Sequence, residues 1–494
     1  MKKNSLFEPQ RQSIFAIILI LIKMINFLVR QVWPLALILV VNRGDNLQLY
    51  LWLIVAAVGV ISLTGSIISY YKFTYYIKDD HLHIEKGLLR RTTLDLPFER
   101  IQTVDFEQNV IHQAFNVVRV NVDSAGSKGS EISFDALEMD QAQAMRDFIL
   151  AQKASLKSND EIEAEQFAEP EELIVHLTPG DLVKIGISQN HLRTAGIIFG
   201  AMWALMDNIG QAMDLNIYDL VTDKAEAFVT GSILLALIAI PLFLFISFIY
   251  TLIRTVLRDY DLNFTKTATG FKLVSGLLTR KEKSAQKNKI QIIAWSTNPI
   301  RSLFKMYHLR LYQAASIDVI GGKAISVPGC YKPQVDKTLD SVFPGVAEVV
   351  FEQHGIHPLA RFRFILFAGL FPCLIFSGVA LLTDNYSLFW AWLYFPISIV
   401  MGQLYFKKRK LQLHQDYLIS SSGIFGTKHR MLEIYKMQSV KLSQSFYQWR
   451  KDLATVTMYT ASGDVSIPFI PIDKAQEVRD YLLWRIESDH RGWM

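Results

Sequence analysis

The sequence predicts a polytopic α-helical membrane protein that carries three copies of one soluble β-rich domain. Two observations predict it. Of 494 residues, 51% are hydrophobic and only 20% charged, and the apolar residues gather into blocks long enough to cross a bilayer. Between the blocks, the soluble segments repeat one another at fixed offsets, the signature of a duplicated supersecondary unit. The balance of 51 Lys and Arg against 46 Asp and Glu is too small and too dispersed for a nucleic-acid-binding protein. Cys330 and Cys373 lie far apart in unlike surroundings, so neither a disulfide framework nor a cysteine-based zinc site can be built from them.

Crossing the hydrocarbon takes about 20 apolar residues, and the chain offers about six such stretches in three close pairs. The first pair is Ser13 to Val41, interrupted by Lys23, Arg30 and Pro34, and then Leu47 to Tyr70. The interruptions predict a kinked or partly interfacial first helix. Next come the short Thr194 to Met206 and the strong Phe228 to Ile253; last come Phe364 to Leu382 and Leu388 to Phe406, joined by a tight polar turn at Asp384 and Asn385. Lacking a small-residue cleavage site, the first stretch is expected to stay in the protein. Lys and Arg crowd the ends that face the termini and the soluble segments (Lys2, Lys3, Arg11, Lys72, Lys184, Arg193, Arg254, Arg258, Arg361, Arg363 and Lys407 to Lys410), whereas the hairpin tips carry only Arg43 and Lys224. The positive-inside rule then puts both termini and all three soluble domains in the cytoplasm.

The repeats can be read letter by letter. An offset of 189 carries Gly87-Leu88-Leu89 onto Gly276-Leu277-Leu278, and 336 carries it onto Gly423-Ile424-Phe425. The glutamine fifteen residues after each glycine closes a basic, apolar, glutamine triplet: Arg100-Ile101-Gln102, Lys289-Ile290-Gln291, Lys436-Met437-Gln438. Val117 and Val120 align with Met306 and Leu309 and with Leu453 and Val456; Ala125 aligns with Ala314 and Ala461. Period-two alternation in Arg119-Val120-Asn121-Val122, and turn residues such as Asp79-Asp80, predict short antiparallel strands. The Gly-containing turns Ser127-Lys128-Gly129, Gly321-Gly322-Lys323 and Ser462-Gly463-Asp464 predict hairpins. A helical pattern at Ala142 to Phe148, matched at Ala475 to Tyr481, closes each unit, giving a curved antiparallel sheet with a C-terminal helix. The chain divides into a helix pair at 10–71, domain 1 at 72–152, an acidic linker and lead-in at 153–183, a helix pair at 184–256, domain 2 at 257–347, a helix pair at 358–406 and domain 3 at 407–490.

On the glycine and triplet spacing, the Ala125-Gly126 hairpin entry and the helix pair before each domain, the chain resembles the bacterial membrane proteins of the YdbT type with repeated pleckstrin-homology-like (PH-like) domains. Domain 1 matches best; domain 3 has Trp449-Arg450-Lys451 where domain 1 has Gln113-Ala114-Phe115, and domain 2 has Ser284 to Asn288 in place of the apolar approach to its triplet. The resemblance implies an α+β PH-like fold for each domain, a bacterial plasma-membrane location and no assigned reaction. It also implies a smaller single-domain PH-like membrane protein as a partner and a role in envelope stress or resistance to membrane-active peptides.

Several residues are candidates for function. Arg100, Gln102, Lys289, Gln291, Lys436 and Gln438 form a candidate ligand or partner surface; the bland alternative is a glutamine bonding backbone at a strand turn beside a solvated base. Lys407, Lys408, Arg409 and Lys410 follow a membrane helix and could meet anionic lipid, although topology alone accounts for them. Lys23 and Arg30 are candidate intramembrane polar residues on one helix face, with snorkelling to the interface as the alternative. His81 with His83, and His354 with His357, lack a third ligand at metal spacing, and no nucleophile, phosphate-loop or dinucleotide motif occurs. The expected function is therefore binding or scaffolding, without enzymatic activity or cofactor, with lipid and another membrane protein as partners. A transporter component regulated by its soluble domains is the alternative.

Overall fold

The computed structural model describes residues 7–41, 47–87, 91–124, 132–156, 171–212, 241–314, 324–489 and 491. Among these, four helices are long and apolar enough to span a membrane, at Leu53–Lys72, Pro241–Asp259, Leu359–Leu382 and Tyr386–Lys408. The expectation was six in three pairs. The third pair is where the hydropathy placed it. Of the second, residues 228–240 lie outside the described residues, and Thr194 to Met206 falls in a helix, His191–Ala212, not among the four.

The first helix, Ala16–Val41, runs on through Pro34. Its first turns lie on protein rather than lipid: Ala16, Leu19 and Ile20 pack with Val117 and Ala136 of domain 1. The segment before it is tied down too, since the Ala136 N–H donates to Gln12 Oε1 at 3.0 Å and the Ser13 N–H to the Ala136 carbonyl at 3.0 Å.

Each domain contains two antiparallel half-sheets rather than the single curved sheet expected. Domain 1 has β1 (Thr74–Lys78), β2 (His81–Lys86) and β3 (Thr92–Pro97), then β4 (Ile101–Asn109), β5 (Val117–Ser124) and β6 (Ile132–Glu138). Alternation does the packing. The inward residues Tyr75, Ile77, Leu82 and Ile84 meet Val118, Val120, Val122 and Phe134 in one core, and Ala142, Met145 and Ile149 of the helix Met139–Leu156 close it. Domain 2 repeats this with β7 (Glu172–His176), β8 (Asn263–Thr267), β9 (Gly270–Ser275), β10 (Thr279–Gln286), β11 (Ile290–Thr297), β12 (Met306–Gln313), β13 (Ile325–Tyr331) and the helix Lys332–Val342. Domain 3 has β14 (Glu352–Gly355), β15 (Lys410–Leu413), β16 (Tyr417–Ser422), β17 (Thr427–Glu433), β18 (Met437–Ser443), β19 (Leu453–Thr460), β20 (Gly463–Pro471) and the helix Ile472–Ser488.

Two features of the topology depart from the linear division read from the sequence. Strand β7, assigned to the linker and lead-in, pairs with β8 across the intervening membrane helices, and β14 pairs with β15 across the third pair. A single bridge between Gln10 and Tyr75 does the same in domain 1. In each domain the apolar helices thus follow its first edge segment. Secondly, the domains share sheets. One seven-stranded sheet runs β6-β5-β4-β10-β9-β8-β7 and another β13-β12-β11-β17-β16-β15-β14, so the second half of each domain continues into the first half of the next. The cores follow, with Ile419 and Met431 of domain 3 in the domain 2 cluster and Ile292 of domain 2 in the domain 3 cluster.

Candidate functional site

The repeated triplets sit at one corner of each domain. The basic residue ends a short turn, at Phe98–Arg100, Lys287–Lys289 and Ile434–Lys436, and the apolar residue opens the next strand. The glutamine is the residue skipped by strand pairing: the register shifts between Ile101 and Thr103, Ile290 and Ile292, and Met437 and Ser439. A conserved spacing of glutamine within the chain therefore marks a β-bulge that re-aims the strand.

The corners differ in exposure because the domains are joined beside them. Arg100 is exposed and Lys289 half-buried, while Lys436 is buried, paired with Glu433 at 2.6 Å and donating from Nζ to the Ile290 carbonyl of domain 2 at 2.9 Å. Gln291 is buried, with neither amide atom bonded, and Gln438 is exposed; the side chain of Gln102 lies outside the described residues. Lys436 and Gln291 thus belong to the interior around a domain joint, not to an open surface.

Two joints hold the domains together, by β4 with β10 and by β11 with β17. Across the first, Lys281 meets Glu107 at 2.9 Å, Arg146 bonds Glu282, and the Arg146 guanidinium lies 4.5 Å from the centre of the Phe106 ring. Across the second, the Trp295 and His429 rings stack at 5.1 Å. The registers are identical. Arg280 opposes Gln108 in the first joint and Thr427 opposes Thr297 in the second, and the repeat offsets carry one pair onto the other without slip. Among the described residues, the strands left over are β3, whose one strand neighbour is β2, and β18, whose one strand neighbour is β19.

A cleft of about 820 Å³ opens between the half-sheets of domain 2, at the foot of the second pair of helices. Among the described residues its cations are Arg258, Lys281, Lys283, Arg301 and Arg310, and its one carboxylate, Asp259, is held bidentately by Arg258 at 2.9 and 2.6 Å. Arg301 is buried, with Nε 3.4 Å from Ser188 Oγ, and among the described residues no carboxylate lies within ion-pair distance of Arg301, Lys283 or Arg310. His308 contacts Ser326 Oγ at 2.7 Å and lies 3.4 Å from Arg310 Nε; burial and then Arg310, Arg301 and Arg258 hold its imidazole well below the usual range. Sequence reading used only Arg258 of this set, as a topology signal. Lys281 and Lys283 belong to the charged run Arg280 to Lys283, Arg301 stands between Ile300 and Ser302 and Arg310 between Leu309 and Leu311, and no local motif unites them.

The remaining candidates separate. Lys408 Nζ donates to the carbonyls of Ile424, Phe425 and Gly426 at 2.8, 2.9 and 3.2 Å, latching the turn between β16 and β17, and Arg409 bonds Tyr405 Oη at 3.0 Å and the Ser466 carbonyl at 3.3 Å. Lys407 and Lys410 alone of that run point outward. Lys23 lies 3.8 Å from Asp135 of β6, a partner invisible within the apolar stretch itself, and Arg30 is exposed.

A family model described as the bacterial PH domain matches residues 17–153, 215–344 and 363–485. The chain is 24% identical over 470 residues to the UPF0699 transmembrane protein YdbT of Bacillus subtilis (strain 168), covering 92% of this chain and 93% of that protein. No solved structure matches. Three matches that together take in most of the chain, on a frame of repeated half-sheets and apolar helices, establish that this transmembrane protein belongs to the bacterial PH domain family.

Proposed function

We propose that the chain is a scaffold of the bacterial plasma membrane whose PH-like domains, on the cytoplasmic side, assemble with another membrane protein. The observation that carries this reading is the pair of leftover edges. Strand β3 occupies the place that β10 and β17 fill in the joints, and β18 the place of β4 and β11. Each presents unpaired backbone donors and acceptors, a template for another strand, and each exposes polar side chains: Thr92, Thr93 and Asp95 on β3, Gln438, Ser439 and Lys441 on β18. A smaller membrane protein with one PH-like domain would add to either edge in the joint register, and such an assembly suits a role in envelope stress or resistance to membrane-active peptides.

Purification from native membranes in mild detergent, with mass spectrometry of what stays bound, tests it. The expected result is a stoichiometric membrane protein with a related domain, lost on Thr93→Pro or Val440→Pro, each of which removes one edge donor. A chain recovered without any protein partner, or a partner retained equally by both variants, refutes the reading.

A further inference from the structure

We propose that the cleft of domain 2 is a binding site for a phosphate-bearing anion at the level where the second membrane hairpin leaves the bilayer. Of its five basic side chains, Arg258 is paired with Asp259 and Lys281 with Glu107, and Lys283, Arg301 and Arg310 converge with no carboxylate within ion-pair distance among the described residues. A buried guanidinium without a counterion is costly, and Arg301 is in that position. Arg310 also bears on Lys428 of domain 3: burial, then Arg430 and Arg310, push that ammonium down to about 8. An anion relieves this charge, and arginine forks together with the hydroxyls of Ser275 and Ser326 supply the planar and pointed donors that phosphate oxygens take.

The other two domains serve as internal controls. The repeat offsets place His112 and Gln448 where domain 2 has Arg301, Asn121 and Thr457 where it has Arg310, and Ser69 and Tyr405 where it has Arg258. His112 and Gln448 are as buried as Arg301 and bonded: burial holds the His112 imidazole below its usual range and its Nε2 lies 3.0 Å from the Asp135 carbonyl, while the uncharged Gln448 amide donates from Nε2 to Thr455 Oγ1 at 2.9 Å. The fold thus does without arginine at these three positions; Lys281 and Lys283 by contrast correspond to Lys428 and Arg430 in domain 3, so it is the set Arg258, Arg301 and Arg310 that is particular to domain 2.

Location narrows the ligand. Ser188, Gln189 and Asn190 lead directly into the helix His191–Ala212, and Arg258 and Asp259 end the helix Pro241–Asp259. The cleft therefore opens at headgroup depth, and its volume exceeds that of bare phosphate. A phospholipid headgroup and a free phosphate share this chemistry; the test separates them.

Full-length protein is compared with Lys283→Gln/Arg310→Gln, and with Arg301→Gln, which installs the residue that domain 3 carries at this position and so is compatible with the fold. Lys332→Gln/Lys474→Gln, at two exposed lysines that do not line the cleft, is the charge control. Native mass spectrometry reads retained lipid from nanodiscs of phosphatidylcholine with and without phosphatidylglycerol, and thermal unfolding in detergent reads stabilisation by inorganic phosphate. Losing a charge-assisted bond is expected to weaken binding roughly tenfold or more. Phosphatidylglycerol retained by the wild type and lost in both cleft variants supports the lipid source; phosphate stabilisation lost in the same variants supports the free anion. Absence of both, or equal loss in the charge control, overturns the proposal.

Discussion

At the residue scale, the repeats record backbone geometry more than chemistry. Gly87, Gly276 and Gly423 have φ of 132°, 109° and 146°, a region that suits glycine. A Cβ on Gly276 would meet the Thr279 carbonyl oxygen at 2.1 Å, so Gly276→Ala should lower stability by about 1–3 kcal/mol, measured as a reduced midpoint in detergent. The short helices Val110–Ala114, Pro299–Leu303 and Phe446–Trp449 begin on Asn109, Asn298 and Ser445, whose side chains accept from the N–H three residues on. The same offsets align these caps, so they were legible, but asparagine and serine without a long apolar pattern behind them give no helix signal. Lys428 gives a pH-dependent prediction. Its folded pKa, about 8 for the reasons of burial and of Arg430 and Arg310, lies below the unfolded value near 10.4. Holding the charge inside thus destabilises the fold most fully below about pH 8, and the penalty fades as pH rises toward the unfolded value. Lys428→Met should melt above the wild type at neutral pH, with the gap closing by about pH 10; a constant gap would assign the effect to packing instead.

At the element scale, each strand is four to nine residues and several draw a partner from distant sequence, which is why part of the architecture was unreadable. Alternation announced β5, and the turn residues announced β1 and β2. Nothing announced β7, because Glu172–His176 follows an acidic run and its neighbour β8 lies beyond two membrane helices. Nor can alternation say whether an edge is covered. The Lys436 corner shows the consequence: a residue read as surface charge is instead wedged between Glu433 and the Ile290 carbonyl. Removing one member of a buried pair leaves the other unsolvated, at about 3–5 kcal/mol. Lys436→Met should therefore destabilise strongly and loosen the second joint, while Lys436→Met/Glu433→Leu recovers much of the loss. Hydrogen exchange at β11 and β17 distinguishes this from a general weakening, since only a joint defect would expose those two strands ahead of β19 and β20.

At the scale of the whole molecule, shared sheets turn three domains interrupted by apolar helices into one body. Tethering alone would give each domain a high effective concentration near its neighbours, but the common register and merged cores go further and fix their relative orientation. A flexible string would let a bound partner or lipid at one domain pass unnoticed at the others; a continuous sheet transmits strain from the foot of one hairpin to the next. The distinction can be measured. Glu107 and Lys281 are directly opposed across the first joint, a placement with Cα atoms about 4.5–5.5 Å apart that lies within disulfide reach. The native thiols do not compete, since Cys330 and Cys373 are both buried. Oxidation of Glu107→Cys/Lys281→Cys in native membranes should close a crosslink within the chain rapidly and nearly to completion, detected as altered migration that reductant reverses. Moving one cysteine a single residue, to Glu282→Cys, turns its side chain to the other face of the sheet and should abolish the crosslink. Equal yields from the two pairs would mean that the domains drift past one another, and the rigid scaffold would give way to a tethered string.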